Sequence, residues 1–191
     1  MRERILRVAS ELFAAQGYER TTIADIQAAL GLAPGSGALY RHFPSKEAVL
    51  QAIMERFISQ GADARGMLDR IDAPATEALP ILARSALETL AMERDEIRIA
   101  WRELPNFPEL RARVLREVMQ VTFTDVAAWL RERVARGELR AHDSEAMAAV
   151  IIGSLVEYRI FEALWGTHEI DVSDERFLAA WTDLVVTGLR P

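Results

Sequence analysis

Residues 18–47 leave this chain the fewest options. Thr22 with Asp25 three positions on is a capping-box-like helix start. Ile23, Ile26 and Leu30 then recur at helical spacing. Gly31 is a natural stop, because glycine enters the left-handed region without a Cβ penalty. Pro34, Gly35 and Gly37 punctuate a turn. Ala38-Leu39-Tyr40-Arg41-His42-Phe43 follows as a short helix, Pro44 ends it, and Ser45 is a good N-cap for the next helix. Two short helices around a Gly-rich turn, with polar residues left outside, form the pattern of a helix-turn-helix.

The remainder reads as helices alone. Residues 2–16 carry Ile5, Leu6, Ala9, Leu12 and Phe13 on one face, and Gly17 ends that helix. The helix starting at Ser45 continues to about Ile71, weakened at Gly61 and Gly66. After the break at 72–76 comes a helix with Pro80 in its first turn, where a missing N–H costs little. A shorter helix spans roughly 94–103, followed by a long one from Glu109 to about Arg136. The last two run from Glu145 to about Trp165, capped by Asp143 or Ser144, and from Glu175 to Leu189, capped by Ser173 or Asp174. No useful length alternates with period two. The expected fold is therefore all-α, with about nine helices. A three-helix N-terminal helix-turn-helix domain (1–47) precedes a larger C-terminal helical domain (48–191).

Charge is informative only through its distribution. The 191 residues carry a net charge of −6. In residues 1–47, Arg2, Arg4, Arg7, Arg20, Arg41 and Lys46 face Glu3, Glu11, Glu19, Asp25 and Glu47, a net of +1, so the remainder holds −7. A weakly basic head on an acidic body suits docking one end on phosphates. The absence of cysteine excludes disulfides and thiol chemistry. No apolar run reaches the ~18 residues of a membrane helix, and the N-terminus enters an amphipathic pattern at once, unlike a secretory signal. A cytoplasmic location is expected.

Leu12-Phe13, Gly17-Tyr18, Thr21-Thr22-Ile23, Asp25-Ile26, Gly31-Leu32 and, above all, the run from Leu39 to Ala48 (Leu-Tyr-Arg-His-Phe-Pro-Ser-Lys-Glu-Ala) give residues 2–58 a resemblance to the DNA-binding domain of the tetracycline-repressor (TetR) family. The resemblance implies phosphate contacts at Thr22, Tyr40, His42 and Lys46, which position a protein without choosing a sequence. Thr22 is a cap on the plainer reading, and its helix N-terminus favours an anion on the other. Base reading falls to Ser36, Gly37, Ala38, Tyr40 and Arg41, with Gln27 on the preceding helix, since Arg matches guanine and Gln matches adenine. The family pattern, roughly Gly-Val-Ser-x-Gly-Thr before Leu-Tyr, is here the longer Gly31-Leu-Ala-Pro-Gly-Ser-Gly-Ala38, which leaves the base contacts open.

A head of this kind reads two half-sites as a dimer. Ala149, Ile152, Gly153, Val156 and Ile160 form one candidate interface stripe, and Leu178, Trp181, Leu184 and Val185 another. Trp101, Phe107, Met119, Thr122, Phe123, Tyr158, Glu162 and Trp165 combine bulky side chains with polar tips that suit a small-molecule pocket. The function expected is a transcriptional regulator, a homodimeric repressor of a palindromic DNA operator released by a small-molecule effector. The alternative is a DNA-bound regulator controlled by a protein partner. An enzyme is not expected: there is no Gly-rich nucleotide loop, no His pair at metal spacing and no cysteine nucleophile. No cofactor or metal is expected.

Overall fold

A computed structural model describes residues 1–33, 37, 39–166 and 171–191; the side chains of 63–65 and 69 lie outside that description. Among the described residues there are helices and no strands. The helices are α1 (Arg2–Gln16), α2 (Ile23–Ala29), α3 (Lys46–Arg65), α4 (Met67–Arg70), α5 (Ala75–Met92), α6 (Arg94–Glu103), α7 (Pro108–Val114), α8 (Val121–Ala135), α9 (Ser144–Trp165) and α10 (Asp174–Leu189). A 3-10 turn (Leu104–Asn106) precedes α7, and a π-helical segment (Leu115–Gln120) joins α7 to α8. With α3 and α4 taken together, and α7 to α8 as one run, there are eight helices among the described residues. The expected short helix at 38–43 is a single turn where described. None of these helices is long and apolar enough to cross a membrane.

The chain divides into two compact units, residues 1–60 with 93–115, and 61–92 with 116–191. In the first, α1 turns Ile5, Leu6, Ala9 and Phe13 inward, the stripe its spacing predicts. α3 adds Val49, Leu50, Ile53 and Met54. α6 lies against α1. Ser10 Oγ of α1 donates to Glu96 Oε1 at 2.9 Å, and Arg102 Nη2 donates to Phe13 O at 2.6 Å.

In the second unit, α9 packs on α5 and α8, and α10 on α5. Its core gathers Leu79, Ala83 and Leu87 of α5, Ala127, Trp129 and Leu130 of α8, Ile151, Leu155 and Tyr158 of α9, and Leu178, Trp181 and Val185 of α10. Burying each Leu or Val stabilises by about 1.5–3 kcal/mol. Some polar atoms inside are paired where the helices meet, although Trp129 Nε1 finds no partner among the described residues. Trp181 Nε1 donates to Ser154 Oγ at 2.9 Å, and Arg133 donates to Ala73 O at 3.0 Å and to Glu138. The same Glu138 accepts from Ala75 N at 2.8 Å, which satisfies the first amide of α5. α5 therefore begins at Ala75, and Pro80 lies inside it rather than in its first turn.

Candidate nucleic-acid interface

The turn from α1 to α2 is built first. Gly17 closes α1 with φ 95, a value that disfavours any side chain. Thr21 is fully buried and donates its hydroxyl to Gly17 O at 2.8 Å. Tyr18 is wedged edge-on between Phe13 and Phe107, with ring centres 5.3 and 5.2 Å away, and its amide donates to Glu103 Oε1 at 3.1 Å. Burial, then the charges of Glu47, Glu19 and Glu103, push its phenol above the ordinary tyrosine range.

Thr22 starts α2 with a complete capping box. Asp25 N donates to Thr22 Oγ1 at 3.1 Å, and Thr22 N donates to Asp25 Oδ2 at 2.8 Å. The Thr22 hydroxyl donates to the same carboxylate at 2.7 Å. The bond from the Thr22 amide, followed by that from its hydroxyl, holds the Asp25 carboxyl below the ordinary range. Thr22 is exposed but already engaged. Gln27 is only 5% exposed, under this surface rather than on it, and its Nε2 has no hydrogen-bond partner among the described residues.

The next turn presents a different chemistry. Arg41 N donates to Gly37 O at 3.2 Å, and Phe43 N to Leu39 O at 2.9 Å, a single helical turn. Gly37 has φ 63. Leu39 and Phe43 are buried at i and i+4, which forces the three residues between them outward. Tyr40 is 57% exposed, and Arg41 and His42 are exposed beside it. Ser36 and Ala38 lie outside the described residues. Lys46 opens α3 half-buried: Nζ donates to Tyr18 O at 2.8 Å and Glu19 O at 3.3 Å, and stands 4.2 Å from the centre of the Tyr18 ring. Sequence reasoning missed this bond, and also that from Arg4 Nη2 to Leu30 O at 3.1 Å, which ties α1 to the end of α2. Neither pair is near in sequence, and no local spacing signals them.

The residues expected to line a pocket are dispersed. Trp101, 66% exposed, and Phe107, against Tyr18, belong to the first unit. In the second unit, Met119 is exposed, and Thr122 and Phe123 are half-buried. Tyr158 stacks on Phe177 at 3.9 Å and donates its hydroxyl to Val172 O and Asp174. Burial and then that Asp174 bond push its phenol to about 12. Glu162 pairs with Arg159 at 2.9 Å, and Trp165 is 62% exposed on Phe161. A cavity of about 410 Å³ in this unit is lined instead by Ala62, Gly66, Leu68, Asp125, Ala128, Trp129 and Glu132. The two candidate dimer stripes also differ from each other. Ala149 and Gly153 of α9 are exposed, and Ile152, Val156 and Ile160 half-buried. Leu178, Trp181 and Val185 of α10 are in their own unit's core, which leaves Leu184, 75% exposed, as the outward member of that stripe.

Known proteins share this arrangement of helices. The family profile described as "Bacterial regulatory proteins, tetR family" matches residues 5–53, and that described as "AefR-like transcriptional repressor, C-terminal domain" matches 77–189. The chain is 31% identical over 108 residues to the HTH-type transcriptional repressor KstR2 of Rhodococcus jostii, covering 51% of this chain and 50% of that protein. It is 27% identical to the HTH-type transcriptional regulator YerO of Bacillus subtilis, covering 98% of this chain and 65% of that one. The chain thus spans from half to just under two thirds of these relatives. Among solved structures, the TetR family regulator PfmR from Thermus thermophilus matches with TM-score 0.76 at 25% identity, covering 98% of this chain and 100% of that one. A TetR/AcrR regulator from Thermobifida fusca matches with TM-score 0.71 at 25% identity, covering 100% and 98%. With the C-terminal profile covering more than half of the sequence and the N-terminal profile covering the helix-turn-helix, the chain belongs to the TetR family of bacterial transcriptional regulators.

Proposed function

We propose that the protein is a cytoplasmic transcriptional repressor that binds a palindromic operator as a homodimer through residues 1–47. Residues 48–191 form the dimer and sense a small molecule that releases the DNA. No catalytic role is proposed. The observation that carries the DNA reading is the outward row Tyr40, Arg41 and His42 between two buried anchors, Leu39 and Phe43. In this reading Tyr40, His42 and the remaining N–H of Lys46 take phosphates, next to the N-terminus of α2 at Thr22. Arg41, together with residues 36–38, reads base edges. Gln27 is left out because its side chain is buried.

The test is a gel shift with the DNA flanking the protein's own gene. A retarded complex that weakens steeply between low and moderate salt is expected. Arg41→Ala lowers affinity by about 1–3 kcal/mol and relaxes sequence preference. No complex at low salt removes the autoregulatory form of the proposal. The exposure of Trp101 and Trp165 favours a second reading, in which a protein partner controls the DNA-bound state. A small molecule that raises Tm and releases the DNA decides against it.

A further inference from the structure

Glu93 stands between α5 and α6, where the chain re-enters the first unit. A carboxylate at a helix N-terminus is ordinarily favourable. Here the residue is only 8% exposed, makes no capping bond, and its Oε1 has no partner among the described residues. Three residues on, Glu96 is as deeply buried but well supplied. Its Oε1 accepts from Ser10 Oγ of α1 at 2.9 Å and from Arg56 Nη2 of α3 at 2.5 Å. The pair differs in partners, not in burial. Burial, then the charge of Glu96, push Glu93 up to about 7, close to physiological pH.

The charged groups at this end are mixed. α6 supplies Arg94, Asp95, Glu96 and Arg98; α1 supplies Glu3, Arg7 and Glu11; α3 supplies Arg56. Arg7 pairs with Glu11, and Arg94 lies 3.9 Å from Asp95. Arg56, the cation that bonds Glu96, is also 3.9 Å from Glu3, so its charge is already divided between two carboxylates. Ionisation of Glu93 adds a further negative charge beside Glu96 with no bonded cation of its own among the described residues.

We propose that Glu93, Glu96, Arg56 and Ser10 form a proton-responsive latch: with Glu93 protonated, α6 stays fastened to α1 and α3, and with Glu93 ionised, repulsion from Glu96 loosens that fastening and weakens DNA binding. Only the last clause rests on the function proposed above. The sign follows from linkage. Between the ordinary glutamate value of 4.5 and about 7, the folded chain holds a proton that the unfolded chain has lost. Stability from this group is therefore full below that window, falls as pH rises through it, and is lowest above it.

The experiment is hydrogen exchange on the full chain from about pH 5.5 to 8.5, corrected for intrinsic rates, with wild type and Glu93→Gln compared and the wild-type Glu93 carboxyl titrated by carbon-13 NMR. Expected are a carboxyl midpoint near neutrality, a fall of about tenfold in protection of the α6 and α1 amides as pH rises from about 5.5 to about 7, with little change above it, and a flat, protected profile in Glu93→Gln. A midpoint near the ordinary glutamate value overturns the latch, as does a Glu93→Gln profile that keeps the wild-type pH dependence. Gel shifts across the same range test the coupling. Wild-type affinity is expected to fall about tenfold where that of Glu93→Gln stays constant, and equal pH dependence in both overturns it. A chain that binds no DNA at any pH overturns the functional reading and the coupling, while the exchange data still decide the latch.

Discussion

The ammonium of Lys46 is committed to two backbone carbonyls and the face of Tyr18, so this residue supports the turn that leads to Thr22. A residue that only touches phosphate can be neutralised without changing the free protein. Lys46→Met removes charge-assisted bonds from a half-buried site, which costs about 1–2 kcal/mol after discounting for solvent. Tm is expected to drop by about 2–4 °C for each kcal/mol in a chain of this size, together with a loss of DNA affinity. An unchanged melting curve with weakened binding assigns Lys46 to phosphate alone. The contrast between Thr22 and Lys46 shows which residue roles the sequence carries. The Thr22–Asp25 box is local, and its spacing announces it. The Lys46 bond spans 28 positions to Tyr18, so it exists only after the start of α3 has come against the turn that follows α1. Gln27 is the same limit reversed: its position beside Ile26 looks like a polar edge of α2, yet packing buries it.

Helix ends were legible where the terminating chemistry is local. Gly17, Gly137 and Gly166 all take positive φ where a helix ends, and Asp143 and Ser173 accept the capping amides of α9 and α10. Three features of the elements were not legible. The turn at 39–42 is confined between Gly37 and Pro44, too short for the regular helix that its apolar spacing suggests. The π segment widens the run from α7 to α8, so an α-helical periodicity carried through it misassigns Leu115 and Met119, both of which face outward. The start of α5 is set by Glu138, far along the chain, and this places Pro80 in the helix interior. There it lacks an amide that an unbroken helix would bond to Thr76. Pro80→Ala restores that bond and helix propensity, against a more flexible unfolded chain that offsets about 0.4–1 kcal/mol. The expected net gain is about 1–2 kcal/mol, read as a higher urea midpoint with an unchanged slope. A loss of stability shows that the ring contributes packing the substitution removes.

Over the whole molecule, a family resemblance predicts a dimer, and the face that makes it can be narrowed by what each helix does with its apolar residues. α10 cannot use Leu178, Trp181 and Val185 in a dimer while they fill its own core. What α10 offers outward is Leu184, with Gly188 one turn on. α9 offers Ala149, Val150 and Gly153, exposed and small enough to let a facing helix approach within the usual 8–10 Å. Gly153 separates an interface from an idle surface. A Cβ built on it meets nothing within 4 Å, and its φ is not positive, so the isolated subunit tolerates a side chain there. Removing a mid-helix glycine even favours the helix, by up to ~1 kcal/mol for alanine. Gly153→Arg is therefore expected to leave the helical circular dichroism and thermal stability of the subunit intact while a bulky charge keeps the two copies of α9 apart. Sedimentation velocity is expected to show dimers for wild type and monomers for the variant, a weakening of at least tenfold, or about 1.4 kcal/mol. Because a two-fold operator rewards both heads only when they are joined, the gel shift of the variant weakens with it, although no residue of the head has changed. A variant that remains dimeric moves the interface off this face of α9.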